Sequence, residues 1–288
     1  MISRQIGRLF GFFRDRAARG LLAVGVRPNM LTVIGMMLTV GAGVATAAGR
    51  AYWGPWAVSL LVAAGACDLL DGAIAKIGRL ESRFGAILDS VCDRTSDAAL
   101  YLGPMVYYAL APDGLADANL PTGQAGPNLT LLVLAGSGLV WAYLISYIKA
   151  RAESEGAEGG GGFWQRPERL VTILLALAFQ HLATAVWILG VWPLATVAHR
   201  LWRARLSSAA LAGATAGLRP GVAGLRPGEA GQGEPVEPRG LWAIVLWRWP
   251  RGSLPFDLHA GAVILMVLFW NVPAVDPLRD LAAWWVGA

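Results

Sequence analysis

Charged residues are scarce in this sequence. Asp, Glu, Lys and Arg make up 15% of its 288 residues, hydrophobic residues 56%, and mean hydropathy is +0.51. A soluble domain carries roughly a quarter charged residues, so an ordinary soluble fold is excluded. Cysteine is scarcer still. The two present, Cys67 and Cys92, each precede an aspartate inside a span-like segment, which excludes a disulfide framework and leaves helix packing as their role. Net charge is +5, yet the basic residues form bands between apolar runs and no continuous stripe. That pattern argues against nucleic acid as a partner.

What is abundant is apolar sequence of helix length. Runs occur at 31–49, 56–75, 97–111, 130–148, 170–186 and 187–198. A membrane span needs roughly 20 residues, with about 17 near the lower limit, so several runs reach that length only by extending into their polar ends. The reading is an all-α integral membrane protein with six transmembrane helices, two of them short. Basic residues crowd the N-terminus (Arg4, Arg8, Arg14, Arg16, Arg19, Arg27) and the second-to-third connection (Lys76, Arg79, Arg83). They return between the fourth and fifth runs (Lys149, Arg151, Arg166, Arg169) and after the sixth (Arg200, Arg203, Arg205). The alternate connections hold little beyond Arg50. By the positive-inside rule the N-terminus and the banded ends are cytoplasmic in a multi-pass protein of the cell (inner) membrane.

Outside this core, residues 1–27 read as an amphipathic helix on the membrane surface, with Ile6, Leu9, Phe10, Phe13, Ala17 and Leu21 at helical spacing and arginines opposite. A cleavable secretory signal is not expected, because the basic region is too long. Residues 207–240 turn to small residues, Gly and Pro, with GLRPG at Gly217–Gly221 and again at Gly224–Gly228, and read as a linker. Residues 241–288 form a Trp-rich extension, interfacial or protein-packed, or one further span.

The chemistry lies in CDLLDGAIAKIGRLESRFGAILDSVCDR, from Cys67 to Arg94. Asp68 and Asp71 share one helical face, as do Asp89 and Asp93. With a loop at 77–84, antiparallel neighbours place the four carboxylates in two layers, about 8 and 14 Å below the loop at 1.5 Å rise per residue. A lone aspartate in a bilayer costs roughly 2.5–3.5 kcal/mol, and neighbouring like charges repel. Lys76 and Arg94 are too few to answer four carboxylates; Mg²⁺ or Mn²⁺ can, and four aspartates can hold two ions. Gly72 and Gly85 allow close approach of backbone or ligand. Metals at a cytoplasmic membrane interface suit a lipid substrate bearing a diphosphate.

The spacing Asp68-x2-Asp71-Gly72-x2-Ala75-Lys76-x8-Gly85-x3-Asp89-x3-Asp93 resembles the signature of the CDP-alcohol phosphatidyltransferases, over roughly residues 1–206. One anchor departs: the family has arginine where this chain has Lys76. The resemblance implies six transmembrane helices, a homodimer, and transfer of a phosphatidyl group from a CDP-lipid to an alcohol with loss of CMP. It implies Asp68, Asp71, Asp89 and Asp93 as ligands of two metal ions, with Asp93 also the general base. It further implies contact of the CDP-lipid with Asn29, Met30, Leu31, Thr32, Gly72, Lys76 and Ser82. Lysine keeps the charge for a phosphate but not the two-pronged geometry of arginine.

For the acceptor, Lys149 and Arg169 stand at similar depth across a glycine-rich loop (159–162), and Arg200 joins them from the last run. Three converging cations suggest an acceptor that itself carries a phosphate. SYIKARAE followed by RPERL is similar to the branch of the family that makes phosphatidylinositol phosphate from CDP-diacylglycerol and inositol 1-phosphate. By that similarity Ser146, Lys149, Arg169 and Arg200 would hold the acceptor phosphate, with Arg151 and Arg166 as further candidates. Three rivals stay open. One is the same chemistry on glycerol 3-phosphate or another polyol phosphate. Another is a transporter or channel with a metal-stabilised polar core. The last is a catalytically weak paralogue acting through its C-terminal extension.

Overall fold

The computed structural model describes residues 2–110, 127–216, 254–270 and 277–278, and among them the regular elements are helical, without a strand. In chain order they are α1 (Ile2–Ala23), α2 (Pro28–Ala47), α3 (Arg50–Gly78), α4 (Arg83–Leu110), α5 (Leu129–Ser154), α6 (Arg166–Ala178), α7 (Leu182–Val191), α8 (Pro193–Ala216) and α9 (Leu254–Phe269). Within α3 a π-helical stretch occupies Trp53–Val58.

Among the described residues, four stretches are long and apolar enough to cross a membrane: Pro28–Ala47, Arg50–Gly78, Leu129–Ser154 and Leu182–Ala209, the last joining α7 and α8. Helix α4 has the length but carries Arg83, Asp89, Asp93, Arg94 and Asp97. The expected fifth run at 170–186 is not one helix. Gln180 adopts a left-handed φ of 62° and the His181 N–H bonds back to Ala176 O at 2.7 Å, so α6 stops at Ala178 and a new helix starts at Leu182. The run at 187–198 therefore lies inside a longer helical stretch. Residues 207–216 of the expected linker continue α8; the rest of the linker, the 241–253 part of the extension and the 281–286 tryptophans lie outside the described residues.

Close approach of backbones holds the bundle together. Helix α2 packs along both α3 and α4. A Cβ on Gly43 would lie 2.6 Å from Ala99 O, and one on Gly103 would lie 2.6 Å from Gly43 O, so α2 and α4 touch main chain to main chain. Gly190 does the same between α7 and α5, where a Cβ would stand 2.8 Å from Leu134 O. Small residues at such crossings are how helices gain contact in lipid, where apolar side chains alone give little preference for protein over solvent. The larger core (Leu100, Tyr101, Leu131, Ile145, Leu177, Leu189) fills the space between α4, α5, α6 and α7.

Residues 2–23 are helical, and one side of α1 rests on the bundle. Ala18, Leu21 and Leu22 pack with Leu31, Ala73 and Ile74 of α2 and α3, whereas Phe12 and Phe13 are exposed.

Candidate active site

The acidic cluster sits where α3 ends and α4 begins. Arg79 turns left-handed at φ 52°, and the Leu80 N–H returns to Ala75 O at 2.9 Å, a helix stop that uses the last carbonyls of α3. Ser82 Oγ then accepts the Gly85 N–H at 3.0 Å, satisfying an orphan donor of α4's first turn. The connection is thus confined to Arg79–Ser82, shorter than the 77–84 expected. It keeps Asp68, Asp71 and Asp89 together: each can bring a carboxylate oxygen within 4.8 Å of the others. Asp71 is half-buried and its Oδ2 accepts the Thr32 hydroxyl at 2.7 Å. Asp68 and Asp89 are exposed.

Asp93 lies half-buried and is tied to α6. Arg166 Nη1 bridges Asp68 Oδ1 at 2.8 Å and Asp93 Oδ1 at 2.7 Å. Lys76 and Arg94, too few by sequence to answer four carboxylates, form no ion pair with them among the described residues. Lys76 is exposed, and Arg94 bends back to Ser90 O at 2.7 Å. The answering guanidinium comes from a helix distant in sequence. Leu31, Thr32, Asp68, Asp71, Asp93 and Arg166 line one cleft. The cluster that shares Asp68 and Asp71 with this cleft suits a divalent cation: the oxygens are hard ligands, the carboxylates of Asp68, Asp71 and Asp89 converge, and two of them are open to solution.

The residues expected at a CDP-lipid surround this cleft unevenly. Thr32 touches the cluster directly. Asn29 reaches the start of α4, its Oδ1 lying 3.2 Å from where a Gly85 Cβ would be. Leu31 is buried and Met30 exposed. A Cβ on Gly72 would meet nothing within 4 Å, so any close approach it permits is to a ligand and not to the protein. Ser82, as described, caps α4.

The cationic side is organised differently. Arg169, 1% exposed, donates Nη2 to Asp97 Oδ2 at 2.6 Å and Nη1 to Trp164 O at 3.0 Å. Arg200, also buried, donates Nε to Gly161 O at 2.9 Å and Nη1 to Ile145 O. Both therefore stand behind the loop at 159–165. Ser146 is half-buried, and Lys149 is exposed with Glu153 at 3.8 Å. Arg151 pairs with Glu155 at 2.5 Å. Sequence reasoning missed Asp97, although it continues the every-fourth-residue series Asp89, Asp93 along one face of α4.

The chain has known relatives. The sequence model of the CDP-alcohol phosphatidyltransferase family matches residues 26–202, more than half of the chain. The chain belongs to the CDP-alcohol phosphatidyltransferase family. Like its relatives it is a transferase of phospholipid biosynthesis with membrane helices. The phosphatidylinositol phosphate synthase of Mycobacteroides abscessus is 35% identical over 210 residues, covering 70% of this chain and 88% of that protein. That of Mycobacterium marinum is 37% identical over 195 residues, covering 64% and 76%. Among solved structures, Mycobacterium tuberculosis phosphatidylinositol phosphate synthase with CDP-DAG bound matches with a TM-score of 0.57 and 30% identity, over 69% of this chain and 96% of that one. The same enzyme with manganese and citrate matches with a TM-score of 0.58 at 30% identity, over 69% and 91%. Helix α9 lies beyond the residues matched by the family model.

Proposed function

We propose that this phosphatidyltransferase moves the phosphatidyl group of CDP-diacylglycerol to inositol 1-phosphate, giving phosphatidylinositol phosphate and CMP. The observation that carries the reading is the acidic cluster in which Asp68, Asp71 and Asp89 converge within 4.8 Å, sharing Asp68 and Asp71 with the cleft lined by Thr32, Asp93 and Arg166. The names of the relatives and the bound CDP-DAG and manganese in the solved homologue support it.

Asp68, Asp71, Asp89 and Asp93 would hold two divalent ions, Mg²⁺ or Mn²⁺, which when bound supply charge neutralisation at the diphosphate. The chain's own groups do the rest. Thr32 orients Asp71 through its hydroxyl. Asn29, Met30, Leu31, Gly72, Lys76 and Ser82 surround the CDP-lipid, with open space at Gly72 for its head. Asp93 takes the proton of the attacking hydroxyl as general base, and Arg166 holds that carboxylate facing the other three. Ser146, Lys149, Arg169 and Arg200 serve the phosphate of the acceptor, Lys149 from the exposed end of α5 and the two arginines from behind the 159–165 loop. The cytoplasmic bands of positive charge set the orientation, with the N-terminus and the cleft inside the cell. Six membrane-crossing segments follow if α4 and the broken α6 join the four apolar stretches, in a homodimer, with exposed Phe12 and Phe13 of α1 against the lipid surface.

A CMP-release assay in detergent tests this, with CDP-diacylglycerol, Mg²⁺ or Mn²⁺, and inositol 1-phosphate, glycerol 3-phosphate, inositol or serine as acceptor. Metal-dependent release with inositol 1-phosphate alone is expected. Release only with another acceptor would keep the acidic cleft and overturn the acceptor assignment.

A further inference from the structure

The segment Leu254–Phe269 lies outside the family-matched region yet is built into the bundle. Val263 and Val267 are buried against it. The far end of the helix is fastened at the α6–α7 turn, where His181 Nδ1 meets Val267 O at 2.8 Å and Thr184 Oγ1 donates to Trp270 O at 2.8 Å. Its near end meets the glycine-rich loop. Phe163 of that loop is buried, with the ring of His259 at 4.3 Å, edge-on at 83°, and the ring of Phe256 at 5.4 Å.

On the other side of this loop stand the two buried arginines. The Phe163 ring packs edge-on against Trp164 at 5.0 Å. Trp164 O accepts from Arg169 at 3.0 Å, and Gly161 O accepts from Arg200 at 2.9 Å. Gly161 and Gly162 hold left-handed φ values of 99° and 87°, which glycine adopts freely and which therefore need outside contacts to stay fixed. The loop lies between α9 and the arginines, and its carbonyls aim both guanidinium groups. Arg169 Nε has no protein partner among the described residues, leaving a donor for a ligand.

We propose that α9 is a brace for the acceptor side of the active site: Phe256 and His259, acting through Phe163, are positioning residues that fix the 159–165 loop and thereby Arg169 and Arg200. This rests on the reading of those arginines as acceptor-phosphate groups. Loss of the brace should weaken acceptor binding without touching the acidic cleft on α3 and α4.

The test uses the full chain carrying Phe256→Ala with His259→Ala, and Phe256→Leu with His259→Phe as the conservative counterpart. Steady-state CMP release gives KM for each substrate, using whichever polyol phosphate the wild type accepts. Hydrogen–deuterium exchange follows the amides of 160–165. The alanine variant should exchange those amides about tenfold faster and raise the acceptor KM about fivefold, while KM for CDP-diacylglycerol and kcat stay within about twofold. The conservative variant should restore both readouts. Should the double variant not fold, Phe256→Ala alone is read the same way. Unchanged exchange overturns the brace whatever the substrate. Faster exchange with an unchanged acceptor KM, or both KM values rising together, overturns its link to the acceptor. If the wild type uses no phosphorylated acceptor, the earlier assignment of Arg169 and Arg200 fails instead, and the exchange result still decides whether α9 holds the loop.

Discussion

The two charged regions of the molecule are constructed in opposite ways. In the acidic region, Asp68 and Asp89 are exposed, Asp71 has one hydroxyl partner, and Asp68 and Asp93 share one guanidinium, that of Arg166. In the cationic region, Arg169 and Arg200 are buried and bonded to backbone carbonyls, and Arg169 also to Asp97. The first has spare ligand capacity facing solution and a weak hold on its own geometry. The second has its geometry set by the fold. On the roles proposed above, open oxygens suit the uptake of ions and a diphosphate, and donors fixed in advance suit a small phosphorylated acceptor. Substitutions should therefore separate: activity without stability on one side, stability together with acceptor use on the other.

The largest effect is expected at the acidic side. If Asp93 is the general base proposed above, Asp93→Asn should lower CMP release by about 10²–10⁴, with the thermal midpoint in detergent little changed. If it unfolds the protein instead, the contrast between the regions is wrong. Next comes Asp97→Ala, which strands the Arg169 charge in the interior. Breaking a buried pair costs about 3–5 kcal/mol, readable as loss of folded protein in a denaturant titration. The double change Asp97→Ala with Arg169→Leu should regain much of that stability but not acceptor use, which sharpens the distinction between holding the fold and binding the phosphate.

Gly162→Ala should be milder. Its backbone sits at φ +87°, and a Cβ there would overlap Thr196 Cγ2, so strain and crowding together cost about 1–3 kcal/mol. A rise in acceptor KM should accompany that cost. The smallest effect is expected from Lys76→Arg, which restores a planar fork at an exposed position. A fall in KM for CDP-diacylglycerol of less than about tenfold is anticipated. A steep rise in kcat would instead point to a chain that has lost catalytic power through this lysine.

Much of this arrangement could be read before any coordinates. The aspartates' spacing pointed to the two helices and to carboxylates gathered on their facing sides, because carboxylates in an apolar run have few stable alternatives. What escaped depends on contacts between distant segments. The pairing of Arg166 with Asp68 and Asp93 requires α6 to lie across α3 and α4, which no local pattern encodes. Asp97 was within reach, since it extends the same face as Asp89 and Asp93, but its partner on α6 was not. The break at Gln180 is a backbone conformation inside an apolar run, invisible to hydropathy. Helix α9 likewise reads only as a short apolar stretch, and its docking on Phe163 depends on ring geometry.

The most direct measurement is Mn²⁺ binding to the detergent-solubilised full chain, followed by electron paramagnetic resonance for the wild type, Asp89→Asn and Lys149→Gln, with and without CDP-diacylglycerol. Two ions per chain are expected in the wild type with CDP-diacylglycerol present, affinity at least about tenfold weaker in Asp89→Asn, and no change in Lys149→Gln. Binding of Mn²⁺ to Asp89→Asn as tightly as to the wild type would contradict the assignment of the acidic cleft as the metal and diphosphate site.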